Sequence, residues 1–210
     1  MKKAIVFLII LSAFVLSCNG SKTSNNAKSA GGDIKKGVTP IADAEIAIIE
    51  METPAYGTIK MELYSNIAPK MVARFKELAR EGVYDGVTFH RINPSVIQAG
   101  DPLSKDADPA NDGTGKSNKP NVEAEFSDIP YDTGIVGAAR GPDNNSANSQ
   151  FFITLKRETG FDNRYTIFGK IIDGMGNVRT ISGVTPKEGE RPVEPIRIKT
   201  IKIVPREEAK

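Results

Sequence analysis

The stretch "TFHRINPSVIQAGDP", residues 88–102, holds the only histidine in the chain. His90 stands directly before Arg91, and Gln98 and Asp101 follow within a dozen residues. Two chemistries fit such a group. An imidazole can move a proton near neutral pH. A guanidinium can instead stabilise developing charge, because it is permanently charged, planar and multiply donating. Each residue also has a plain structural alternative, a packed histidine for His90 and a surface ion pair for Arg91. Hydrolysis has little support: the serines of "GPDNNSANSQ" sit in no nucleophile elbow and have no histidine partner. Metal binding has less, since one His, one Cys and scattered acids show no ligand spacing.

The elements that must position these residues are mostly strands. "EIAIIEME" and "GTIKMELY" alternate apolar and polar residues, with Pro54-Ala55-Tyr56-Gly57 between them as turn residues. Pro69 suits an early helical position, and Val72, Phe75, Leu78 and Ala79 recur at helical spacing until Gly82. "GVTFHRI", "GIVGAAR", "SQFFITL", "YTIFGKII" and the strictly alternating "IRIKTIKIV" read as further strands, with a short helix around Asn177 to Ile181. A long loop rich in Gly, Asp, Asn, Lys and Pro spans Asp101 to Phe126. Many strands and few helices predict a mainly β barrel or sandwich. On "GVTFHRI" alternation sends His90 and Arg91 to opposite faces, and on "SQFFITL" it sends one of Phe151 and Phe152 to the core and the other outward, Phe151 being the core candidate.

Taken in order, "GTIKMELYSNIAPKMVARFKELAREGVYDGVTFHRI", "IQAGDP", "GTGK", "GIVGAAR", "NSANSQFFITL" and "FDNRYTIFGKI" resemble the cyclophilin-type peptidyl-prolyl cis-trans isomerases. The resemblance runs from about Ala44 to Val204. It implies a closed eight-stranded antiparallel barrel capped by two α-helices, with the substrate groove on its outside. It also implies site residues. Arg91 matches the catalytic arginine, and Gln98 the glutamine that orients it and contacts substrate. Phe152 matches the floor of the proline pocket. Ala139 and Arg140 match the strand whose backbone hydrogen-bonds the peptide, and Phe161 and Tyr165 match the far wall. The spacer before Gln98 is one residue shorter than usual, leaving Val96 and Ile97 where the family has an aromatic-containing pair. Gly160 stands where a tryptophan often lies, so tight cyclosporin binding is not expected.

The implied reaction needs no cofactor and no proton transfer. Rotation about an X-Pro bond meets a barrier of ~18–20 kcal/mol from amide resonance. A fixed donor aimed at the twisted imide binds that state better than either ground state and lowers the barrier. The expected partners are proline-containing polypeptides. The alternative is a proline-peptide binding module or chaperone with little turnover, which the shortened spacer motivates.

The N-terminus carries its own signal. Lys2 and Lys3 precede an apolar run from Ala4 to Leu16, shorter than a membrane span, and Val15-Leu16-Ser17-Cys18 resembles a bacterial lipobox. Residues 1–17 therefore read as a lipoprotein signal peptide, and 18–43 as a lipidated Cys18 with a flexible tether rich in Ser, Asn, Gly and Lys. Residues 44–205 read as the isomerase domain and 206–210 as a charged tail. Cleavage removes two lysines and no acid, leaving 26 charges of each sign. A formally neutral protein is not expected to bind nucleic acid electrostatically. The composite expectation is a monomeric, lipid-anchored isomerase in the cell envelope of a bacterium, outside the cytoplasm.

Overall fold

The computed structural model describes residues 33–184 and 190–209. Eight strands form one antiparallel sheet: β1 (Glu45–Met51), β2 (Thr58–Leu63), β3 (Arg91–Ile92), β4 (Val96–Ala99), β5 (Ile135–Ala138), β6 (Phe151–Thr154), β7 (Ile167–Asp173) and β8 (Ile198–Pro205). Their spatial order is β3-β4-β6-β5-β7-β2-β1-β8. Helix α1 (Pro69–Arg80) and helix α2 (Met175–Ser182) accompany the sheet.

Helix α1 forms where the periodicity predicts, with Pro at its start and Met71, Val72, Phe75, Leu78 and Ala79 buried. Ala68 precedes it and has no capping side chain, so a distant residue takes over that task. Glu125 accepts hydrogen bonds from the backbone N–H of Lys70 (3.1 Å) and Met71 (3.0 Å). A carboxylate there satisfies two orphan donors and complements the positive end of the helix. Phe75 anchors the core, its ring 5.2 Å from Tyr84, 5.6 Å from Phe151 and 5.3 Å from Phe168. Helix α2 covers more than Asn177 to Ile181 and buries Val178 and Ile181.

The closed barrel is corrected to an open, curled sheet. β3 and β8 are its two edges and do not pair with each other. The segment ahead of β3 meets the start of β8 at a bridge between Thr88 and Arg197, with backbone bonds from Phe89 to Ile196, from Ile198 to Val87 and from Gly86 to Ile198. The expected strand "GVTFHRI" shrinks to two residues for a local reason. Continuing the β3–β4 register would place Thr88 opposite Asp101, but Asp101 already begins a 3-10 turn over Pro102–Lys105. The Thr88 N–H donates instead to Ser104 Oγ, at 2.9 Å. Alternation also predicts no strand over Val96–Ala99, a run of four residues between Ser95 and Gly100 that is too short to register.

Residues 33–43, expected as the end of a flexible tether, lie against the domain. Lys35 bridges Ser127 and donates through Nζ to the Ile67 carbonyl at 2.7 Å. The Ile41 N–H donates to Asn66 Oδ1 at 3.0 Å. Polar bonds hold this arm rather than apolar burial, which explains why composition alone did not reveal its docking. Cys18 and the segment 1–17 lie outside the described residues.

Candidate active site

The site is built by register. Arg91 pairs with Gln98 across β3–β4, Gln98 with Phe152 across β4–β6, and Phe152 with Gly137 across β6–β5. Residues directly opposite one another in a sheet share a face, so one row across four strands presents Arg91, Gln98 and Phe152 together. The adjacent row, Ile92, Ile97, Ile153 and Val136, points the other way and is buried in the core.

A hollow of ≈ 140 Å³ opens over the first row. Arg91, Val96, Gln98, Phe152, Phe161 and Tyr165 line it, with Ala139 and Arg140 on its remaining side. Phe152 is its floor, with its ring 5.5 Å from Phe161 and 5.6 Å from Tyr165 in edge-to-face contacts. Beneath it Tyr131 stacks at 5.8 Å. Ile97 is not part of this hollow: it is fully buried on the opposite face of β4, and Val96 alone supplies the aliphatic wall. Ala139 and Arg140 follow the end of β5. The Arg140 guanidinium lies over the Tyr165 ring, 4.7 Å from its centroid, and donates to the Arg164 carbonyl.

The guanidinium of Arg91 is half exposed and tied at two points. Nη1 donates to Gln98 Oε1 at a long 3.4 Å, and Nε donates to Glu190 Oε2 at 2.5 Å. Burial opposes the charge on Glu190, but hydrogen bonds from Arg91 and Asn93 outweigh it and hold the carboxyl below the usual carboxylate range. His90 is buried, its ring close to Gly113, and loss of hydration lowers its pKa despite the nearby Asp101 carboxylate.

Sequence reasoning missed a neighbouring hollow of ≈ 270 Å³, which shares Gln98, Ala139 and Arg140 with the first. Its outer wall is Gly113 to Lys116, from the "GTGK" segment of the long loop. Gln150 joins the two hollows: it accepts from Gln98 Nε2 at 2.8 Å and donates to the carbonyls of Gly113 and Gly115. The polar residues of "NSANSQ" were the available signal. Glu190 was also missed, being 99 residues from Arg91 in sequence.

Residues 48–203 match the family model for cyclophilin type peptidyl-prolyl cis-trans isomerase/CLD. The chain belongs to the cyclophilin-type peptidyl-prolyl cis-trans isomerase family. It is similar to a probable peptidyl-prolyl cis-trans isomerase of Brucella suis, 45% identical over 130 residues, 60% of this chain. That match spans 66% of the Brucella protein, just under two thirds of its length. It is also similar to a peptidyl-prolyl cis-trans isomerase of Schizosaccharomyces pombe, 37% identical over 161 residues, 73% of this chain and 96% of the yeast protein. Among solved structures it resembles a cyclophilin-type isomerase of Cryptosporidium parvum crystallised in the presence of the dipeptide Ala-Pro. The TM-score is 0.68 at 30% identity, covering 76% of this chain and 98% of that one.

Proposed function

We propose that the protein catalyses cis-trans exchange of X-Pro bonds, with Arg91 stabilising the twisted imide over an apolar proline pocket. The observation that carries this is the shared row: Arg91, Gln98 and Phe152 stand on one face and line one small hollow. The proline ring sits on Phe152, between Val96 and the Phe161–Tyr165 wall, where water is excluded. Arg91 donates to the pyramidalising nitrogen or the rotating carbonyl, and Gln98 orients it. Backbone groups of Ala139 and Arg140 hold the peptide. The Ala-Pro dipeptide present with the Cryptosporidium relative supports a proline ligand for this fold.

We further propose that Cys18 carries lipid and that the domain works outside the cytoplasm on exported chains as a monomer. The basic, apolar and Cys-terminated N-terminus supports this. The functional test is acceleration of X-Pro exchange in a short peptide by the purified protein. Saturable peptide binding with no acceleration would leave the binding-module reading and sink the enzyme.

A further inference from the structure

Few groups restrain the guanidinium of Arg91. Its side chain is 47% exposed, and its bond to Gln98 is long. The short contact is to Glu190, and Glu190 is itself held in place. Asn93 Nδ2 donates to both of its carboxylate oxygens, at 3.1 and 3.2 Å. Asn93 in turn accepts from the backbone N–H of Ser95 and Val96, both at 2.9 Å, so it is fixed by the β3–β4 turn. On the following residue, Arg191 Nε pairs with the Asp112 carboxylate at 2.9 Å, beside the loop that walls the second hollow. Glu190 also adopts φ +69°, a left-handed conformation that residues with side chains rarely take. A chain of contacts thus runs from the turn through Asn93 and Glu190 to Arg91.

We propose that Glu190 is a positioning residue, whose carboxylate fixes the plane of the Arg91 guanidinium so that its Nη edge faces the proline pocket. This rests on the role given to Arg91 above. A mobile guanidinium would still bind peptide but would spend less time aimed at the twisted imide, so the loss falls on kcat rather than KM.

The test uses Glu190→Gly and Glu190→Gln. Glycine removes the carboxylate while favouring the positive φ, so it preserves the backbone. Glutamine keeps a hydrogen-bond acceptor for Nε. Glu190→Gly is expected to lower kcat about tenfold with KM little changed, and Glu190→Gln to stay within about threefold of wild type. In an Arg91→Ala background, Glu190→Gly should cost nothing more, because the two residues act as one unit. The Arg91 Nε–H resonance should shift in Glu190→Gly. An unchanged or raised kcat in Glu190→Gly, with Arg91→Ala inactive, would overturn the positioning role alone. Full activity in Arg91→Ala would overturn the functional reading beneath it as well.

Discussion

His90 and Arg91 are neighbours in sequence, but His90 is buried while Arg91 stays half exposed at the pocket. Only 6% of His90 is exposed, and burial favours its neutral form. The folded state therefore takes up a proton at lower pH than the unfolded chain, whose histidine titrates near the usual ~6.5. Below that value the unfolded state binds a proton that the folded state refuses, so stability falls as pH drops through the unfolded pKa toward the lower folded one. Thermal melting should show a falling midpoint from about pH 7 to about pH 5, and His90→Gln should flatten that segment. Asp43, Asp162 and Glu190, whose carboxyls are held low, lose their contributions only in a more acidic window. A wild-type midpoint that is level from pH 7 to 5 would contradict the burial argument.

At the scale of elements, the cross-strand row carries the site, and Gly137 shows how tightly it is filled. Gly137 is opposite Phe152, and a Cβ there would fall on the Phe152 ring edge and 2.7 Å from the Tyr131 hydroxyl. Gly137→Ala should therefore push the pocket floor out of place, costing about 1–3 kcal/mol of stability by overpacking. Isomerase activity should fall further than the stability loss explains. Full activity in a folded Gly137→Ala protein would show that the floor is not where it is placed. This row also explains what the sequence could and could not disclose. Alternation within "SQFFITL" separates Phe151 from Phe152, and the structure puts Phe151 in the core. Alternation cannot say which residue of another strand stands opposite, so the grouping of Arg91, Gln98 and Phe152 came from the family resemblance. Ile97 fell on the wrong side because no strand was legible around it. Glu190 and Gly113 to Lys116 reach the site from loops, where no periodicity exists to read.

For the whole molecule, the sequence disclosed the two helices and most strands. It did not disclose that the sheet stays open, because closure depends on whether two edge segments pair along their length. Nor did it show the arm at 33–43 docked through Lys35 and Asn66. The proposed lipid anchor at Cys18 belongs to this scale. Palmitate labelling of the full chain in a bacterial host should disappear in Cys18→Ala, and labelling that persists would remove the membrane anchor. The central claim rests on the row of side chains and on one charge within it. X-Pro exchange measured for wild type and Arg91→Ala tests that claim directly. Wild type should accelerate exchange, and Arg91→Ala should lose about 10²-fold or more of that acceleration while remaining folded, as for removal of a key electrostatic donor. A folded Arg91→Ala protein with undiminished activity would contradict it.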